Sequence, residues 1–189
     1  MSIPLLVIVS GPPASGKTTL ARQLAHELNL PLITKDDIKE SLFDSLGWQD
    51  RAWSKKLGAA TYHLLYYFLE AALAGGVSLI VESNFGPMST SELKRLQEIY
   101  PFRPFQVMCR ADGKTLVERY KARAGQRHPG HVDFDALADI EPVLRQGRLE
   151  PLGLDGEIIE LDTTDFSKID VAGTIARLKT ALEDTRLSL

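Results

Sequence analysis

Eight consecutive residues, Gly11-Pro12-Pro13-Ala14-Ser15-Gly16-Lys17-Thr18, constrain this chain more than any others. They fit G-x-x-x-x-G-K-[ST], a loop whose successive backbone N–H groups turn inward on one anion. Its glycines permit the turns and the close approach this requires. Lys17 adds a compact positive charge for the outer phosphates of a nucleotide, and the Thr18 hydroxyl is placed to ligate a phosphate-bound magnesium ion. Thr19, next in line, completes the expected phosphate-binding set. By chance the pattern arises in roughly one chain of this length per hundred or more, and the flanks tighten that. Leu5 to Val9 is a short apolar run suited to a buried parallel strand. After the loop, Leu20, Ala21, Leu24, Ala25 and Leu28 recur on one helical face. The N-terminus of that helix would point its free N–H groups at the same anion.

The remaining composition sets limits. A chain of 189 residues, 44% hydrophobic and 25% charged, is expected to fold as one soluble domain, 1–189, with an ample core. A net charge of −3 supplies no overall attraction to nucleic acid. The single Cys109 excludes an internal disulfide and suits a reducing compartment. No apolar run is long enough to span a bilayer, and the N-terminal run reads as a strand rather than a signal peptide. The expected location is the cytoplasm, with no membrane partner.

Further along, a short strand Leu32 to Thr34 runs into Lys35-Asp36-Asp37-Ile38-Lys39-Glu40. Asp37 and Glu40 have the N-cap and N3 spacing of a capping box, which assigns Asp37 to opening a helix through about Leu46. Asp36 is then the functional carboxylate, at the strand end where open α/β sheets bind ligands. Trp48 and Trp53 are expected to pack the next helix junction. A long helix from about Trp53 to Ala74 should bury Leu57, Thr61, Leu64, Leu65, Phe68, Leu69 and Ala72. A third strand, Val77 to Val81, leads to Glu82 and Asn84. An acid at such a strand end can hold magnesium or its waters, so Glu82 joins Thr18 as a candidate metal residue and Asn84 is a candidate substrate contact. A fourth strand follows from Phe105 to Cys109.

The helix from Asp112 to about Gly125 is basic, and Arg119, Arg123 and Arg127 align on one face if it persists. His128-Pro129-Gly130-His131 cannot stay helical, and a mobile basic loop closing over phosphates has this composition. Residues 112–133 are therefore the expected lid. The two histidines have neither the spacing nor the cysteine companions of a zinc site. A short helix near Phe134 to Glu141 should stop before Pro142. A fifth strand ending at Leu161 and a helix from Val171 to Leu182 close the chain.

Strands alternating with helices call for a parallel sheet covered on both faces. The N/T-K-x-D motif expected of a switch GTPase is missing. Through GPPASGKTTLA, TKDDIKE, VESNFGP and CRADGKTLVERYKARAGQRHPGH, the chain resembles the P-loop kinases of the zeta-toxin and AAA-type group. That group is similar to chloramphenicol phosphotransferase and the polynucleotide 5′-hydroxyl kinases. The resemblance implies an α/β, three-layer P-loop NTPase fold with a five-stranded parallel sheet, helices on both faces and a small helical lid. It implies an ATP- and magnesium-dependent phosphotransferase moving the γ-phosphoryl group to a hydroxyl of a small molecule. Asp36 would be the general base, Lys39 a substrate contact, and Arg123 and Arg127 the lid arginines, with Arg119 beside the nucleotide. A polynucleotide 5′-kinase is the alternative, although no basic track for a strand is evident. A toxin-type module with a regulatory partner, or a homodimer, stays open.

Overall fold

Leu5–Ser10 (β1) is buried at every position, as a strand covered on both faces must be. In a computed structural model that describes residues 3–187, with side chains as far as 185, β1 is the centre of a five-stranded sheet. Residues 1–2 and 188–189 of the expected domain lie outside the described residues. The strand order is β2-β3-β1-β4-β5, with β2 Leu32–Thr34, β3 Leu79–Glu82, β4 Arg103–Arg110 and β5 Glu157–Asp162. All pairings are parallel. Among the described residues seven α-helices connect and follow the strands: α1 Lys17–Leu28, α2 Lys35–Leu46, α3 Arg51–Ala74, α4 Pro87–Ile99, α5 Gly113–Arg123, α6 Asp133–Gln146 and α7 Val171–Leu187.

Alternation along β1 divides the core. Leu5, Val7 and Val9 pack with Leu20 and Leu24 of α1 and Leu178 of α7. Leu6 and Ile8 face Leu65 and Leu69 of α3 and Leu93 and Leu96 of α4. The result is the expected three layers. The buried Gln106 in β4 is satisfied by donating to the Leu152 carbonyl (3.0 Å) and accepting from its N–H (2.8 Å).

Two sequence expectations give way to packing. Phe68 is 43% exposed, because the buried stripe of α3 runs through Leu57, Thr61, Leu65, Leu69 and Leu73 and leaves Phe68 outside, edge-on to Tyr67. Pro142 does not end a helix; α6 continues through it. A helical proline costs about 3 kcal/mol. Ala136 and Leu144, on either side, are buried, and Leu144 packs with Leu116, Val117 and Tyr120 of α5.

Register fixes the site. Glu82 at the end of β3 lies level with Val9 of β1 and Thr34 of β2. The chain turns to opposite sides of β1 at this point, which opens a crevice at the carboxyl ends of the strands. The loop after β1, Asp36 and Glu82 therefore share one edge. Among the described residues no helix is long and apolar enough to cross a membrane.

Candidate active site

The loop Gly11 to Gly16 returns the chain from β1 into α1. Gly16 caps the helix at φ 81°, and a Cβ there would overlap the Phe166 ring, so a glycine is needed twice over. Ala14 is also held at positive φ, 66°. The Ser15 hydroxyl is buried without a hydrogen-bond partner. Such an orphan is a donor left for something the loop encloses.

Lys17, 6% exposed, places Nζ 3.7 Å from a Glu82 oxygen, and the Thr18 hydroxyl donates to the other Glu82 oxygen at 3.1 Å. Burial raises the pKa of Glu82, and Lys17 opposes it. A hydroxyl and a carboxylate side by side suit a hard cation such as magnesium, which takes most of its other ligands from phosphates and water. No group of three or more His, Cys, Asp or Glu residues able to hold a metal occurs among the described residues.

Asp36 sits in the first turn of α2. The cap of that helix is Thr34, whose hydroxyl accepts from the Asp37 N–H at 3.1 Å, and not Asp37 as the spacing suggested. Thr34-x-x-Asp37 satisfies the same motif three residues earlier, and Asp37 is an exposed partner of Arg22. Asp36 is not free of local partners either. Lys35 lies 3.1 Å from one oxygen and Arg127 2.6 Å from the other. Burial alone would push its carboxyl up, but Lys35, Arg127 and Lys17 together hold it well below the usual carboxylate range.

The arginines do not share a face. α5 ends at Arg123, and Ala124 is extended, so Arg127 leaves the helix and reaches across to α2. It bridges Asp36 and Asp133 and touches His131, which meets Glu40 at 2.7 Å. Burial, then the Arg127 charge, pushes the His131 pKa down to about 3, so this imidazole is neutral. The turn Pro129–His131 clasps Phe43: His128 stacks on the ring at 5.1 Å and His131 meets it edge-on. A Cβ on Gly130 would stand 2.6 Å from that ring, which accounts for the glycine. Val132, directly after, is held at φ 47°, a strained conformation for a β-branched residue.

Arg123 lies over Tyr120, and its buried Nε has no hydrogen-bond partner. Arg119 is elsewhere. It donates to the carbonyls of Thr163 and Thr164 and stacks on Phe166, beside Gly16. Lys39 donates to the Ser54 hydroxyl at 2.9 Å, and the Asn84 carbonyl accepts from Tyr62 at 3.3 Å. The Trp53 indole closes the helix junction by donating to the Gly47 carbonyl, while Trp48 is half exposed. Phe166 and Tyr62 carried no sequence signal, since their partners are distant in the chain, and Asp133 meets Arg127 only because the chain turns between them.

A family model for the AAA domain matches residues 6–146. The chain belongs to the AAA domain family. A crystal structure of a candidate kinase from Chloroflexus aurantiacus j-10-fl superposes with a TM-score of 0.88 at 42% identity, over 95% of this chain and 98% of that one. A cytidylate kinase of Haloarcula marismortui is 27% identical over 173 residues, 79% of this chain and 85% of its own. An uncharacterized protein of Mycobacterium tuberculosis is 28% identical over 147 residues, 74% of this chain. This AAA domain chain covers 28% of the length of that protein and of its two mycobacterial counterparts. The fold is an α/β P-loop kinase fold.

Proposed function

We propose that this protein is an ATP- and magnesium-dependent phosphotransferase that moves the γ-phosphoryl group to a hydroxyl of a small molecule in the cytoplasm. The observation that carries the reading is the convergence at one sheet edge of the loop pair Lys17–Thr18, the strand-end acid Glu82, and an Asp36 gripped by Arg127.

Phosphoryl transfer asks a protein mainly to align oxygens and to neutralise charge. The loop amides and Lys17 hold the donor phosphates. Thr18 and Glu82 would hold magnesium, which neutralises charge on the outer phosphates when bound. Arg119 and Phe166 flank the nucleotide beyond Gly16. Asp36 accepts the proton of the acceptor hydroxyl, and Lys39 and Asn84 position the acceptor. Arg123 and Arg127, in a lid formed by residues 112–133, cover the transferring group.

In the arrangement seen here Asp36 is a poor base, because its carboxylate is stabilised by Lys35 and Arg127. The γ-phosphate competes for the Arg127 guanidinium. Once Arg127 turns to it, Asp36 loses one stabilising charge and becomes more basic, so acceptance of the proton follows donor binding. Calorimetry with ATP and magnesium tests the donor site, and Lys17→Ala should weaken binding and abolish turnover. Unchanged turnover in that variant would overturn the reading.

A further inference from the structure

The carboxylates along the crevice are all occupied by groups of the chain itself. Asp36 has Lys35 and Arg127, Asp133 has Arg127, Glu82 has Lys17, and Glu40 has His131. Two cations on this face, Arg123 and Lys39, form no ion pair among the described residues. Arg123 sits on α5, near the transferring group in the reading above. Lys39 is an acceptor contact in that reading, and its surroundings say what kind of group it contacts.

Lys39 is 6% exposed, and lysine is rarely buried so deeply without a charged partner. Its ammonium has three donors and makes one hydrogen bond, to the fully buried and neutral Ser54 hydroxyl. The Phe43 ring lies 5.2 Å away. Burial, then the neighbouring Lys35 charge, lowers its pKa to about 8 against the opposing pull of Asp36. A desolvated ammonium of this kind lacks one anion.

The room for that anion lies on α3. Ser54, Gly58 and Tyr62 are four residues apart and share a helix face. Gly58 weakens a long helix by about 1 kcal/mol relative to alanine. Packing does not demand it: a Cβ there would meet only Lys39, with Nζ at 3.7 Å and Cε at 3.9 Å, both ordinary contacts. The glycine leaves the space beside the ammonium open. Further along the same face, the Tyr62 hydroxyl is fixed by the Ser83 hydroxyl at 2.9 Å and the Asn84 carbonyl, next to Glu82. On the facing helix, Asp36 is one turn before Lys39. Side chains one turn apart stand about 5–6 Å from each other at Cβ. A molecule touching both has its charged group and its hydroxyl separated by a few bonds.

We propose that the acceptor is a small hydroxy compound bearing an anionic group, carboxylate or phosphate, that pairs with Lys39 beside Gly58 while its hydroxyl lies against Asp36. The inference rests on the kinase reading. In the transfer, Asp36 takes the hydroxyl proton and the hydroxyl oxygen forms the new bond to the γ-phosphorus of ATP. The bond from that phosphorus to the β–γ bridging oxygen breaks, and ADP leaves with the electron pair.

The test follows label from γ-radiolabelled ATP into matched pairs: gluconate and sorbitol, glycerate and glycerol, glycerol 3-phosphate and glycerol. At least one anionic member should exceed its neutral counterpart tenfold or more in kcat/KM, and glycerate against glycerol 3-phosphate separates carboxylate from phosphate. Lys39→Met should raise the KM of the accepted anion at least tenfold. Gly58→Leu, which fills the space without removing a charge, should do the same, so that misfolding of one variant does not decide the matter. ATP affinity is measured on every protein. ATP binding together with equal use of neutral polyols, with no anion accepted, or with an anion preference that survives in both variants, overturns the inference alone. Absence of ATP binding in the wild type overturns the kinase reading and the inference together.

Discussion

Replacing Arg127 with alanine removes the guanidinium from three neighbours at once. Asp36 loses a contact of 2.6 Å, Asp133 one of 3.2 Å, and His131 a neighbour that keeps it neutral. Breaking a fully buried ion pair costs about 3–5 kcal/mol. Here the Arg127 and Asp36 side chains retain 19% and 34% of their exposure, so solvent screens part of the loss. The expected loss is about 1–3 kcal/mol at neutral pH. The pH dependence has a definite sign. Asp36 has a folded-state pKa below its unfolded value of 3.8, so its contribution is complete above that value and is lost as pH falls below it. Each such group steepens the acid limb by at most about 1.4 kcal/mol per pH unit. Urea titrations carried from pH 5 down to pH 2 should therefore show a shallower acid decline in Arg127→Ala than in the wild type. Turnover should fall about 100- to 1000-fold, the scale for a lost transition-state donor. A variant with turnover within a few-fold of wild type and an unchanged acid slope would refute both the grip on Asp36 and the phosphate role.

Three other outcomes follow from the geometry. Asp36→Asn should keep ATP affinity by calorimetry and lose about a hundredfold or more in transfer, as expected for a positioned base. Asp37→Asn should stay close to wild type, since its exposed contact with Arg22 is worth about 0–1 kcal/mol, whereas Thr34→Ala should lower stability in urea by about 0.5–2 kcal/mol through the lost cap. Gly130→Ala forces the Phe43 ring or the turn to move and should cost about 1–3 kcal/mol in a thermal or urea melt, with turnover falling in parallel as the Arg127 segment loosens.

The parts of this site that could be read in the sequence are those encoded by neighbours in the chain. The loop Gly11 to Thr18 follows a strand and opens a helix, and each of those elements has its own periodicity. Glu82 and Asp36 were placed by the ends of strands. The spacing points to Asp37 as the cap of α2 because Thr34 and Asp37 both satisfy a three-residue interval, and only the backbone decides for Thr34. His128 to His131 reads as a loop over phosphates, yet its partners Phe43, Glu40 and Asp44 lie more than eighty residues earlier, and no local pattern records them. Phe166 is further still from Gly16, and its role is visible only once β5 is alongside β4. Spacing by four puts Arg127 with Arg119 and Arg123, but the turn after Arg123 breaks that periodicity.

The place of β1 in the middle of the sheet has a consequence for biosynthesis. Val7 pairs with Ile80 on one side and with Phe105 on the other. Both partners leave the ribosome long after β1, and at about 5–20 residues per second the interval to Phe105 is on the order of 5–20 s. For that time a strand that is apolar from Leu5 to Val9 lacks at least one of its two neighbours in the sheet, and the loop that follows it is supported from one side at most. Nascent chains stalled before β4 should therefore engage chaperones and fail to retain a nucleotide, however complete their first hundred residues are.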